Sequence, residues 1–163
     1  MSSEQQNIKN IRAASRLMVR ELGFMNQNLA ASDYPPSAVH TLLEVEMQGS
    51  VTAAQLVSIL GLEKSSVSRL LSKLVEAGEL EENTSVDDAR AKLLSLTAKG
   101  RETVKNINNY AHQRVAAALD KLDPFTRETV SQGLSSYSGA LKASRENTEG
   151  KLQSNLKIVT GSR

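Results

Sequence analysis

The side chains best placed to do chemistry in this sequence are hydroxyls and cations on one helix, not a nucleophile paired with a base. Residues 63–77 read EKSSVSRLLSKLVEA. Wound as a helix, they put Val67, Leu70, Leu71, Leu74 and Val75 on one side and Ser65, Ser66, Ser68, Arg69, Ser72, Lys73 and Glu76 on the other. A face that is small at its start and cationic one turn later suits the major groove of duplex DNA. Small hydroxyls let the backbone approach and can hydrogen-bond base edges or phosphates. Arg69 can grip guanine through two hydrogen bonds, contributing about 1–3 kcal/mol of discrimination. Lys73, on the same face, reaches guanine or the sugar-phosphate backbone, and the unpaired amides at the helix start attract phosphate. The bland alternative is an ordinary solvated helix surface.

A second cluster lies in the polar stretch EENTSVDDARA, residues 81–91. Arg90, at the tip of a predicted hairpin, can enter a narrow minor groove where negative potential is concentrated. Asp88 can orient it through a charge-assisted pair. The same two residues could instead form a surface salt bridge that holds the hairpin, and the two roles are compatible.

Composition narrows the field. The chain has 163 residues and no Cys, which rules out disulfides, thiolate zinc ligands and cysteine redox sensing, and leaves only His40 and His112 as imidazole ligands. A lone helical His is more often a surface or satisfied residue, so neither a metal nor a cofactor is expected. There is no Gly-rich phosphate loop, nucleophile-base pair or metal-ligand spacing, and the chain is not expected to be an enzyme. An aromatic fraction of 3 % with no Trp argues against stacking platforms for single strands and demands an aliphatic core. The sequence has neither a basic leader followed by an apolar run nor a stretch of 18 or more apolar residues, so the expectation is cytoplasmic, with no membrane association. Net charge is only +2, and from Gly61 to Arg101 seven basic residues face seven acidic ones. Charge distribution, not its total, must therefore carry any attraction to nucleic acid.

The elements that must position these residues are mainly α. Ile8, Ile11, Ser15, Met18, Leu22, Met25 and Leu29 form a heptad seam on a helix predicted over about 6–30, packed lengthwise on another helix of the same or a second chain. Asp33-Tyr34-Pro35-Pro36 turns the chain into a second helix over Ser37–Gln48, which Gly49-Ser50 stops. Thr52 and Gln55 form a capping box for a short third helix with Leu56, Ile59 and Leu60 inward, ended by Gly61. The fourth is the 63–77 helix, and Gly78 ends it. Two short strands around a charged turn follow, the second including Lys92–Leu96. Thr97 caps a fifth helix of about 24 residues carrying Val104, Ile107, Ala111, Val115, Ala118 and Leu122. Asp123-Pro124 opens a sixth with Phe125, Val130, Leu134, Tyr137 and Leu141. Residues 144–151 are expected to fray, and Leu156-Lys157-Ile158-Val159 has strand character. The predicted class is a winged helix-turn-helix lobe (36–97) with a small β-hairpin wing. Flanking helices (6–33 and 98–143) carry the apolar positions Ile8, Ile11, Met18, Leu22, Leu134 and Leu141, and 144–163 is a polar tail.

The run TAAQLVSILGLEKSSVSRLLSKLVEAG, residues 52–78, followed by Asp88-Ala89-Arg90, five residues, and Leu96-Thr97-Ala98-Lys99-Gly100, resembles the MarR (multiple-antibiotic-resistance regulator) family over roughly residues 8–142. The resemblance implies a sequence-specific regulator of transcription, in most cases a repressor. It would bind double-stranded DNA as a homodimer, joined by the flanking helices as a dimerisation region through Ile8, Ile11, Met18, Leu22, Leu134 and Leu141, on a pseudo-palindromic operator with half-sites about 10 bp apart. It also implies that Arg90 reaches DNA from the wing, and that a small aromatic or phenolic effector, usually an anion, binds between the dimer region and the DNA-binding lobe. Without Cys the family's peroxide-sensing branch does not apply. Three positions depart from the family pattern. Glu79 stands where Leu is usual, Glu82 where a basic residue is common, and Glu63 at a cap position that favours Ser or Thr. As surface acids they would weaken phosphate attraction and make binding more salt-sensitive. The tail loosely resembles the lead-in to an acetyltransferase domain fused to some relatives, but the residues after Val159 are too few to hold one. The rival reading is a winged helix used for protein-protein contact without DNA.

Overall fold

The structure, a computed structural model, describes residues 2–26, 28–30, 32–84 and 92–160, with nothing said of side chains from 149 onward. The elements are α1 (Ser3–Glu21), α2 (Pro36–Gln48), β1 (Val51–Thr52), α3 (Ala53–Leu60), α4 (Lys64–Glu76), β2 (Leu80–Thr84), β3 (Lys92–Leu96), α5 (Ala98–Leu119) and α6 (Pro124–Thr160). They fall into two units, Met1–Gln113 and Arg114–Arg163. No helix among the described residues is long and apolar enough to cross a membrane.

In the first unit local chemistry sets each boundary. Pro36 opens α2, and Gly49 at φ +76 closes it. Thr52 Oγ1 accepts the Gln55 amide, while Gln55 Oε1 accepts the Thr52 amide at 2.8 Å, a reciprocal box that starts α3. Gly61, left-handed at φ +63, turns the chain from α3 into α4. Gly78 at φ +72 ends α4 in a Schellman motif. There the Glu79 amide bonds the Leu74 carbonyl and the Gly78 amide bonds the Val75 carbonyl, each at 2.9 Å. The core is aliphatic. Val39, Leu42 and Val45 of α2, Leu56 of α3, Val67, Leu71 and Leu74 of α4, Leu80, Leu94 and Leu96 of the wing strands, and Val104 and Ile107 of α5 form one buried cluster.

The sheet has three strands in the order β1-β3-β2, all antiparallel, with Val51 opposite Leu94 and Leu80 opposite Leu96. The hairpin is as the sequence predicts. β1 is an addition, because two residues are too few to show a period of two.

Other expectations are corrected. The N-terminal helix ends at Glu21, not near residue 30: Leu22 is its C-cap and Gly23 sits at φ +83. Leu29 therefore leaves the seam and packs into the lobe's core, while Met25 is 74 % exposed. The seam that remains runs from Ile8 to Leu22, on a helix none of whose residues is buried. The fifth helix stops at Leu119, short of Leu122. In the second unit, Asp123 accepts the amide and hydroxyl of Thr126, and Pro124 follows as the first residue of α6. Those hydrogen bonds, the Thr126 hydroxyl first, hold the Asp123 carboxyl below its ordinary range. α6 then runs unbroken to Thr160, so 144–151 is helix, not a frayed segment, and 156–159 is helix, not strand. Polar residues such as Arg145, Glu146 and Lys151 favour helix, and low hydrophobicity alone does not end one.

At one point the first unit leaves no room for a side chain. A Cβ on Gly100 would lie 2.1 Å from the Glu79 carbonyl oxygen and 3.1 Å from Leu96 Cδ2. Replacing a helical Gly by Ala ordinarily stabilises by about 0.5–1 kcal/mol. Gly100→Ala should instead cost about 3 kcal/mol through forced displacement of the backbone. Gly133→Ala in α6, where a Cβ meets nothing within 4 Å, should be neutral or stabilising. Urea denaturation of the two variants checks the pair of signs.

Candidate nucleic-acid interface

α4 divides as its sequence demands. Val67, Leu71 and Leu74 are buried and Leu70 and Val75 half-buried, while Ser65, Ser66, Ser68, Arg69, Ser72, Lys73 and Glu76 are exposed. Six of the predicted site residues, Ser65, Ser66, Ser68, Arg69, Ser72 and Lys73, are thus brought to one open face. Among the described residues, neither Arg69 nor Lys73 forms an ion pair or a side-chain hydrogen bond, so both charges are free for an external partner. Ser72 is less free, because its hydroxyl donates to the Ser68 carbonyl at 3.0 Å and has only lone pairs left to offer. The N-cap, Glu63, makes no side-chain cap bond, which leaves the amides of the first turn directed at whatever lies beyond the helix.

Beside this face stands the wing. Its strands are pinned by Lys92 Nζ to Glu82 Oε2 at 2.7 Å and by Ser95, whose hydroxyl bonds Glu81 Oε1 at 3.3 Å. The tip, with Asp88 and Arg90, lies outside the described residues.

The acid positions behave differently from the expectation that all three face DNA. Glu63 is exposed at the start of α4. Glu82 is exposed too, but its charge is matched by Lys92 across the hairpin, and a solvated pair of this kind contributes about 0–1 kcal/mol. Glu79 is not on the surface at all: it is 1 % exposed. The Tyr34 hydroxyl donates to its Oε1 at 2.7 Å, and Lys99 Nζ lies 3.2 Å from the same oxygen. Burial pushes the Glu79 carboxyl up. Tyr34, the nearby Thr103 hydroxyl and the Lys99 ammonium outweigh it, so the net shift is downward and the group stays ionised. Burial, followed by the hydrogen bond to Glu79, raises the Tyr34 phenol to about 12.

Sequence reasoning does not find the Tyr34-Glu79-Lys99 cluster. Its members are separated by tens of residues, and the one visible signal is the unusual Glu at position 79.

Residues 32–91 match the MarR family. A curated relative, an uncharacterised HTH-type transcriptional regulator, YfiV, from Bacillus subtilis, is 23 % identical over 105 residues. That match spans 64 % of this chain and 66 % of the relative, just under two thirds of its length. Among solved structures, RV1404 from Mycobacterium tuberculosis aligns with a TM-score of 0.69 at 22 % identity, covering 86 % of this chain and 95 % of that one. A mutant of MarR from E. coli, complexed with operator DNA, aligns at 0.63 and 19 % identity, covering 84 % of this chain and 99 % of that one. At these identities the structural matches establish the fold.

The Tyr34-Glu79 bond has a signature in alkali. A phenol that holds its proton to about 12 in the folded chain, against 10.0 ordinarily, stabilises the fold fully below pH 10. That contribution is lost as pH rises from 10 through about 12. Tyr34→Phe should remove a component of the near-ultraviolet tyrosinate absorbance change that titrates at about pH 12. The variant should also lose less stability than wild type between those two pH values.

Proposed function

From the premise that residues 32–91 match the MarR family, in a chain with the fold of MarR transcriptional regulators, we propose that this protein is a sequence-specific regulator that binds double-stranded DNA, acting as a repressor. The observation that carries the reading is the open face of α4: three small hydroxyls at the helix start, an uncapped first turn, and two cations with no partner among the described residues. Arg69 reads a base edge or phosphate in the major groove, Lys73 neutralises phosphate, and the serines let the helix approach closely. Arg90, oriented by Asp88, reaches the neighbouring minor groove from the wing.

We further propose that the working form is a homodimer. α1 buries none of its own residues, yet it carries Ile8 at 51 % exposure together with Ile11 and Met18, and Leu22 at its C-cap, all exposed. α6 likewise exposes Leu134 and, at 54 %, Leu141. A second copy supplies the apolar surface such helices need, and its two-fold axis would match a pseudo-palindromic operator. Control by a small-molecule effector belongs to the same proposal, supported by a solvent-open cavity in the first unit. The rival, a winged helix that binds only protein, would use the same face without needing its cations.

Selection from random-sequence duplexes, read by fluorescence anisotropy at two salt concentrations, tests the reading. A two-fold-symmetric site should emerge, with affinity falling as salt rises. Arg69→Ala should weaken it about tenfold or more and relax preference at one base pair of each half-site. Lys73→Ala should weaken all sequences alike and reduce the salt slope by about 1 per protomer. Binding that is absent, or indifferent to both variants, would favour the protein-contact reading. In sedimentation, Ile11→Asp should shift the dimer towards monomer and so separate the dimer claim from the DNA claim.

A further inference from the structure

The first unit holds a cavity of about 450 Å³ between the loop that precedes α2, Glu79 just beyond the Gly78 stop of α4, and the first turns of α5. Ser32, Asp33, Tyr34, Glu79, Lys99 and Thr103 are among its lining residues. The volume falls in the range of about 300–1,000 Å³ typical of small-molecule pockets.

Its chemistry is unbalanced. Glu79 is buried and ionised, and the Tyr34 hydroxyl and Lys99 ammonium both approach it at Oε1. Oε2 is shielded from solvent, and although the Thr103 hydroxyl is near enough to Glu79 to help hold it ionised, no described residue makes a hydrogen bond of good geometry to Oε2. A buried carboxylate oxygen left unpaired is costly, and a native fold that retains one gives an N–H donor something to recover. The one ammonium among the described lining residues, Lys99, already serves two acceptors. It donates to the Ala77 carbonyl at 2.6 Å and lies 3.2 Å from Glu79 Oε1. Asp33, on the same wall, adds a second carboxylate for which the described residues supply no partner. Two carboxylates against one engaged ammonium repel an anion and draw a cation.

We propose that this cavity binds a small organic cation of the amidinium or aryl-ammonium class, whose N–H groups bond Glu79 Oε2 with Asp33 alongside. The proposal names a ligand class for the effector reading and rests on that reading for its regulatory consequence alone. For the aromatic anion that the family resemblance implies, the described lining residues offer only Lys99, whose charge already faces Glu79. The occupant would also touch the residue that closes the C-terminus of the DNA-facing helix, whose amide completes the α4 stop.

The test pairs two probes of the same shape and opposite charge, benzamidine and benzoate, titrated into the full chain without DNA and followed by amide nitrogen-proton spectra. Benzamidine should saturate, with shifts centred on Ser32, Tyr34, Lys99 and Thr103, and benzoate should leave those amides unmoved. Glu79→Gln, which keeps the side chain's shape, should weaken benzamidine by about tenfold or more, and Asp33→Asn by several-fold. Should Glu79→Gln fail to fold, the selectivity of wild type and the Asp33→Asn affinity still decide. Equal or stronger perturbation by benzoate, no saturable shift with benzamidine, or benzamidine affinity unchanged in both variants would each overturn the proposal. Because no DNA is present, any of these results leaves the DNA-reading proposal standing.

Discussion

Three consecutive carbonyls just beyond the end of α4 all find their donors at the start of α5, and the placement of α4 depends on that junction. The Ala77 oxygen accepts Lys99 Nζ at 2.6 Å, the Gly78 oxygen accepts the Thr97 hydroxyl at 2.6 Å, and the Glu79 oxygen accepts the Thr97 amide at 3.1 Å. Thr97 Oγ1 also accepts the Gly100 amide at 3.0 Å, so one hydroxyl caps α5 and ties it to α4. The approach is close enough that only a residue without Cβ fits at position 100. The pattern L-T-x-x-G therefore has a mechanical meaning. The hairpin starts from the same junction, since Leu80 pairs with Leu96 immediately beside it, and the wing's register relative to α4 is set there.

What is legible in the sequence is what short-range chemistry decides. The split of α4 into apolar and polar faces, the Thr52-Gln55 box, the Thr97 and Asp123 caps, and the stops at Gly49, Gly61 and Gly78 each depend on residues a few positions apart. The sequence misleads where a distant partner overrides the local pattern. The heptad spacing continues past Gly23, but Leu29 is claimed by the lobe's core, where its amide bonds the Tyr34 carbonyl at 2.9 Å. β1 exists only because β3, far along the chain, pairs with it. Glu79 reads as a surface acid because an isolated Glu almost always is one. Tyr34, 45 positions earlier, makes its burial tolerable.

Moving Glu79 inside also changes what the charge count means. The segment from Gly61 to Arg101 balances in number, which on composition alone predicts no attraction to a polyanion. In space, Glu79 and Lys99 are paired away from the α4 face and Glu82 and Lys92 across the hairpin. Exposed charges beyond a Debye length of about 8 Å at physiological salt are largely screened from one another, so a ligand at the α4 face responds mainly to what stands there. Arg69 and Lys73 stand there with no partner among the described residues, opposed on the helix surface by Glu76 and, at its start, by Glu63. On the proposed DNA-binding reading, a field of so few cations would make weak sequence-independent attraction and leave discrimination to Arg69 and the backbone's close approach. The acid that departs most from the family pattern therefore takes nothing from the open face of α4: its charge lies in the wall of a cavity beyond the helix's C-terminus.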